Sequence, residues 1–369
     1  VPSVNRQPVA AAVPSGSLVR LDAVVKGFPP AAFSFVMATG ILSTGLWMVG
    51  HGALSVVLMW IAAAAGVLLS VALVWRAISH PGTLMADANN PAKAFGFFTI
   101  VAGANVMGLR LEIAGMSAAM MVLASIAAVV WVALTYGIPA SMLLRDRSTP
   151  ILHDANGSWF LWVVGTQSLA NAFAVFARNT HNDLAAVGAT AAWGIGLVLY
   201  LLVSTLVTLR MLTLPNRPET LSPTYWIFMG ATAITVLAGA NVLSMPGDLA
   251  ISISTHTFVA GASFVLWALG MWWIPLLVLF GIWRHVMSHY PMGYETGLWA
   301  IVFPLGMMSA ASISFGRGES ISVMIRIGEV GVWIAAAAWI GTIALMLVCF
   351  ARWLRAGSRS LAASTQGDA

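Results

Sequence analysis

Apolar residues in this chain fall into long runs separated by short polar stretches. Ten runs stand out, at roughly 30–50, 53–77, 93–109, 112–144, 157–177, 184–212, 222–243, 251–286, 295–315 and 322–354. Most are about 20 residues or longer, the length an α-helix needs to cross the ~30 Å hydrocarbon core of a bilayer. Short strands of alternating polarity, which a spanning barrel requires, are absent from the pattern. The chain is therefore expected to be an all-α integral membrane protein of ten transmembrane helices, with its spanning domain at 28–354. Several even-numbered runs exceed the ~20 residues needed and are expected to tilt.

The odd-numbered runs share a form that the even ones lack. They read "FPPAAFSFVMATGILS", "AKAFGFFTIVAGANVMG", "NGSWFLWVVGTQSLAN", "SPTYWIFMGATAITVLAG" and "ETGLWAIVFPLGMMSA", each an aromatic entry followed by small residues. Aligned on a central glycine they give Gly40, Gly103, Gly165, Gly230 and Gly306, at spacings of 63, 62, 65 and 76. The repeat unit is a two-helix hairpin used five times. Two helices return the chain to its starting side, so all five hairpins share one orientation, unlike an inverted repeat. The expected arrangement is five like-oriented helical hairpins around a central pore, odd helices inside and even helices toward lipid. Glycine, serine and threonine also serve ordinary helix packing in lipid, so the pattern alone leaves the pore open.

Composition sharpens the class. The chain is 60% apolar and 8% charged with mean hydropathy +0.90, against roughly 25% charged in soluble domains. With both termini on one side, that side holds Arg6, Arg20, Lys26, Arg76, Lys93, Arg145, Arg147, Arg210, Arg217, Arg284, Arg352, Arg355 and Arg359, 13 of the 17 basic residues. Arg110, Arg178, Arg317 and Arg326 fall on the other. This bias puts both termini in the cytoplasm and the protein in the cytoplasmic (inner) membrane. It also accounts for the +5 net charge without a nucleic-acid partner. Residues 1–27 form a cytoplasmic N-terminal segment without the apolar core of a signal peptide, and 355–369 read as a disordered cytoplasmic tail.

No metal, cofactor or catalytic site is expected. Cys349 stands alone, and His285 and His289, at i and i+4, have no third ligand nearby in sequence. A membrane enzyme would need clustered His, Asp or Glu on facing helices, and the seven histidines are scattered. No Lys, Arg or His falls in an odd-helix core; Arg110 with Glu112, Arg317 with Glu319 and Arg326 with Glu329 read as surface pairs. Anion preference would then come from helix N-termini at the cytoplasmic mouth, from the basic excess there, and from interior donors such as Thr39, Ser43, Thr99, Asn105, Thr166, Gln167, Ser168 and Asn171. Weak binding of this kind suits conduction. The lack of deep carboxylates favours a passive pathway over proton coupling.

Three residues before each aligned glycine stand Met37, Ile100, Trp162, Ile227 and Phe303, all bulky. They form either one hydrophobic layer that gates by dewetting or ordinary packing between helices. Thr39, Thr166 and Gly306 join them as candidate pore-lining positions. Pro304 removes a backbone donor and frees the Ala300 carbonyl, a kink that either shapes packing or aims Phe303 at the axis.

These odd-run segments, with "WWIPLLVLFGIWRHV" of the eighth run, resemble the tellurite-resistance/dicarboxylate transporter family from about Phe28 to about Trp353. That family spans bacterial tellurite-resistance proteins, fungal malate and sulfite transporters and plant guard-cell slow anion channels. The resemblance implies a homotrimer in the lipid bilayer, each subunit with its own pore for small anions, inorganic or carboxylate. It also implies that Phe303, matching a ninth-helix phenylalanine, occludes that pore. One departure is Ala38 in "VMATG", where fungal members tend to carry glycine. The expected function is an anion channel or facilitator. The alternative on the same fold is secondary active transport of dicarboxylates, sulfite or tellurite-type oxyanions.

Overall fold

The computed structural model describes residues 17–146 and 150–366. Expectations for residues 1–16 and 367–369, and Arg147 of the basic count, lie outside the described residues. A short helix α1 (Ser17–Lys26) precedes the first hairpin, α2 (Ser34–Met48) with α3 (Gly52–Ser79). A second short helix, α4 (Pro81–Ala88), leads to α5 (Phe98–Ile113) and α6 (Ser117–Leu143). Then come α7 (Leu161–Thr180) with α8 (Asp183–Thr213), α9 (Ile227–Leu243) with α10 (Ala250–Ile282), and α11 (Trp299–Gly318) with α12 (Ser322–Gln366). Among the described residues there is no strand. The backbone of α12 runs on past the expected domain end at 354 as continuous helix to Gln366, where the sequence reads as a disordered tail.

The ten long helices form two concentric layers. α2, α5, α7, α9 and α11 each contact the next, and α11 closes on α2. Each of α3, α6, α8, α10 and α12 packs on the inner helix of its own hairpin and on the inner helix of the following one. Burial separates the layers: the most apolar stretches of α5, α7, α9 and α11 are 78–83% buried, those of the outer helices 11–28%. Nine helices among the described residues are long and apolar enough to cross a membrane. The tenth, α2, has only 15 residues, about 22 Å of helix. Four odd runs enter through single 3₁₀ turns, the aromatic Ala94–Phe97, Gly157–Phe160 and Pro223–Trp226 ahead of α5, α7 and α9, and Thr296–Leu298 ahead of α11, whose first residue is Trp299.

The aligned glycines sit on the seams between inner helices. A Cβ at Gly40 would meet Val106 of α5, at Gly103 Met37 of α2, at Gly165 Phe98 of α5, at Gly230 Pro304 of α11, and at Gly306 Ile41 of α2. Small residues let backbones approach where lipid supplies no hydrophobic drive for association.

Each outer helix is also tied to the inner helix of the next hairpin by a polar bond. Trp131 of α6 donates its indole N–H to Thr166 Oγ1 of α7 at 2.9 Å, and Trp193 of α8 to the Thr235 carbonyl of α9 at 3.0 Å. Trp267 of α10 donates to Ser312 Oγ of α11 at 2.8 Å, and Trp339 of α12 to Thr39 Oγ1 of α2 at 3.0 Å, which closes the ring. Between α3 and α5 the tie is Arg110, donating to Ser55 Oγ at 2.8 Å and to Ser43 Oγ of α2 at 2.9 Å. Arg110 is thus a buried member of α5 and not half of a surface pair. Glu112 instead accepts from Asn179 Nδ2. Arg317 donates to the Met48 carbonyl, and neither it nor Arg326 forms an ion pair among the described residues.

Each tie is worth about 1 kcal/mol, and an orphaned buried hydroxyl costs about as much again. Trp339→Phe keeps the ring but removes the donor. It should lower the unfolding midpoint of the purified protein by roughly 2–5 °C, while Trp60→Phe, on the exposed face of α3, should leave it unchanged.

Candidate functional site

The neighbours of α11 fix its rotation. Ser312 faces α10 through Trp267, and Ser309 faces Gly331 of α12, so these mark the outward side. Gly306 faces Ile41 of α2 and Pro304 faces Gly230 of α9, marking the two seams. Phe303 lies nine residues, two and a half turns, from Ser312 and so points the opposite way, into the ring. Met307, Ala310 and Ser314 share that face at i+4, i+7 and i+11. Phe303 is 2% exposed although it points to the interior. Pro304 lies within α11 with its ring seated against Gly230.

The expected five-membered layer is only partly assembled. Met37 and Ile227 are buried, Met37 beside Gly103. Trp162 turns outward, donating its indole N–H to Thr135 Oγ1 of α6 at 2.6 Å. Ile100 packs against the outer-side cluster that includes Val36, Met59 and Met107. The reason is rotational. A residue three positions before a glycine sits about 60° around the helix from it. Gly40, Gly230 and Gly306 face the following inner helix, whereas Gly103 and Gly165 face the preceding one, so the same offset leads inward in one case and outward in the other. On α5 the inward position is Ala102, fully buried.

The polar positions are also redistributed. Thr39 and Thr166 accept indole donors from outer helices, and Gly306 belongs to the α11–α2 seam. Asn105 Nδ2 donates to Ser168 Oγ at 3.0 Å, and Asn241 Nδ2 to Asn171 Oδ1 at 2.6 Å, tying α5 to α7 and α7 to α9. Gln167 Nε2 donates to the Trp193 carbonyl. Most hydroxyls and amides offered as anion donors are therefore engaged with neighbouring helices. His285 Nδ1 lies 3.0 Å from the Tyr290 carbonyl and His289 has left-handed backbone beyond the helix, so the pair does not share a helical face.

At the end where the inner helices begin, a cavity of about 960 Å³ opens. It gathers the entry turns of α2, α5, α7 and α9 with Lys26, Arg76, Lys93 and Arg210, and with Asp87, Asp154 and Glu219. Asp87 accepts from Arg76 at 2.6 Å and from Lys93 at 2.9 Å. Burial pushes the Asp87 carboxyl up, but these two cations outweigh it and hold it below its ordinary value. Sequence reasoning had counted these basic residues for topology and as a general basic excess at this mouth, without placing them around a cavity. The signal it passed over is that outer helices end with Arg in the last turn, Arg76 on α3 and Arg210 on α8.

Compared with protein-family profiles, residues 27–351 match the family described as SLAC1, voltage-dependent anion channel. An uncharacterized membrane protein of Mycobacterium tuberculosis is 45% identical over 162 residues, 44% of this chain and 82% of the relative. Two uncharacterized transporters of Methanocaldococcus jannaschii align over most of the chain. One is 24% identical over 336 residues (87% of this chain, 92% of the relative) and the other 20% over 331 (88% and 95%).

The α9–α11 seam yields a direct test. A Cβ at Gly230 would lie 2.7 Å from Pro304 Cγ, in a ring that has no rotamer to yield. Gly230→Ala should destabilise by about 1–3 kcal/mol, read as a lower unfolding midpoint. Gly194→Ala on α8, where nothing lies within 4 Å, should not.

Proposed function

The chain belongs to the SLAC1 family of voltage-dependent anion channels, and we propose that it is a passive anion channel or facilitator whose path is the ring interior, occluded by Phe303. The protein lies in the membrane and moves anions across it, as its family does. The single observation that carries the finer reading is the inward direction of Phe303 together with its 2% exposure. A ring side chain that faces the interior and is shielded from solvent is what a hydrophobic constriction requires. Pro304 acts through packing: its seat against Gly230 fixes the rotation of α11 and so the direction of Phe303.

Passive flow is favoured by the charge distribution. The inner helices carry one carboxylate, Glu112, at the end of α5 and engaged by Asn179. Proton-coupled carriers generally place ionisable groups at depth. The engaged interior donors leave a nearly neutral path that would pass small inorganic or carboxylate anions with little retention. In this reading the basic mouth and both termini face the cytoplasm across the cytoplasmic membrane, and the protein assembles as the homotrimer implied by the family resemblance. Coupled transport of dicarboxylates, sulfite or tellurite-type oxyanions is the competing mode.

Flux of nitrate or chloride into liposomes separates these. Phe303→Ala should raise passive flux at least tenfold, and a pH gradient alone should drive no uphill uptake. Equal flux from correctly folded wild type and variant would remove Phe303 as the occlusion. Uphill uptake driven by protons would establish the coupled mode.

A further inference from the structure

Three arginines at the cytoplasmic ends of outer helices are buried: Arg76 in the last turn of α3, Arg210 in the last turn of α8, and Arg284 in the π-helical turn that follows α10. Their electrostatic states differ. Arg76 is neutralised by Asp87 at 2.6 Å, and Arg284 Nη1 lies 3.0 Å from Glu295 Oε1 with its guanidinium over the Tyr290 ring. Arg210 has no such partner. Its Nη1 donates to the neutral Asn216 Oδ1 at 2.8 Å, its buried Nε has no partner, and among the described residues no carboxylate lies within ion-pair distance. Arg210 is only 6% exposed. A guanidinium does not shed its proton, so burial leaves a full positive charge without a counter-ion.

The surroundings of Arg210 suit an anion. It lines the 960 Å³ cavity together with Ser222, Thr224 and Tyr225 from the entry turn of α9 and Asn156 and Ser158 from that of α7. The positive ends of the helix dipoles face the cavity at these entries, with the Ser158 N–H held by Asn156 Oδ1 and the Tyr225 N–H by the Ser222 carbonyl. Lys93, 55% exposed at the side chain, adds charge at the rim.

We infer that Arg210 is the centre of a binding site for a small oxyanion or carboxylate at the cytoplasmic mouth. The unpartnered Nε–H and the neighbouring guanidinium N–H form a fork of the kind that matches two oxygens of a planar anion. The site therefore favours nitrate or a carboxylate over a spherical halide. It rests on the anion-pathway reading and gives that path a capture point which the nearly neutral ring interior lacks.

The test is an equilibrium titration of the purified full-length protein in detergent. Its unfolding midpoint is followed against sodium nitrate, with sodium chloride, a spherical halide the site disfavours, holding ionic strength constant. Wild type should show a saturable rise. In Arg210→Gln the half-effect concentration should increase at least tenfold, and in Arg210→Lys, which keeps the charge but loses the fork, about threefold. Asn216→Asp supplies the carboxylate that Arg210 lacks, copying the Arg76–Asp87 state, and should abolish the nitrate effect with the fold retained even where Arg210→Gln does not fold. No saturable effect in wild type, or an unchanged half-effect concentration in folded Arg210→Gln or Asn216→Asp, overturns the site. Because binding is read without flux, a protein that binds nitrate through Arg210 yet conducts none in Phe303→Ala liposomes keeps the site and refutes the conduction reading. Flux without Arg210-dependent binding refutes only the site.

Discussion

The architecture depends on polar bonds that tie each outer helix to the inner helix of the next hairpin. In water, five hairpins could be gathered by hydrophobic burial. In lipid that drive is lost, because acyl chains are as apolar as leucine. Close packing and interhelical hydrogen bonds must hold the layers instead. Four indole donors, Trp131, Trp193, Trp267 and Trp339, and the guanidinium of Arg110 provide one tie per hairpin junction. The bond from Trp339 to Thr39 joins the last hairpin to the first, so the ring has no open edge. Seam glycines at the aligned positions let neighbouring inner helices approach closely within the ring.

This economy has a consequence for function. A hydroxyl that accepts an indole N–H is directed outward, away from the interior. Thr39, Thr166 and Ser312 are all used in this way. What faces inward on α11 is Phe303, Met307, Ala310 and Ser314, an apolar run with a hydroxyl toward the far mouth. Charge is concentrated at the mouth where the inner helices begin, in Arg76, Lys93 and Arg210. In the proposed reading, recognition and occlusion are thus separated along the axis, with positive charge at the basic mouth and an uncharged constriction deeper in. Such a separation lets a site attract an anion without trapping it at the narrowest point.

Much of this was legible in the chain itself. Apolar run length set the helices, because a spanning segment has no alternative partner for its backbone groups. The glycine-centred repeat gave five like-oriented hairpins, and the inner–outer assignment followed from which runs carried small residues. Phe303 stood out in the chain as the bulky residue beside a proline in the ninth run, and the fold turns it toward the ring interior. The alignment went astray at Ile100 and Trp162. It matched glycines by sequence position, but Gly103 and Gly165 face the preceding helix while Gly306 faces the following one. Linear spacing carries no information about which seam a glycine serves.

The sequence by itself determined the number, length, order and relative orientation of the helices, because these follow from hydropathy and from periodicity within single segments. Tertiary structure alone decided which side of each helix meets which neighbour. That choice made Arg110 a buried tie and not a surface charge, since α5 extends far enough to carry it between Ser43 and Ser55. It also left Arg210 without a carboxylate while Arg76 and Arg284 each gained one. The partners come from segments far apart in the chain, such as Ser43 and Ser55, or from connecting segments between hairpins, such as Asp87 and Glu295. A charge read along the sequence is a count; its environment exists only in the folded ring.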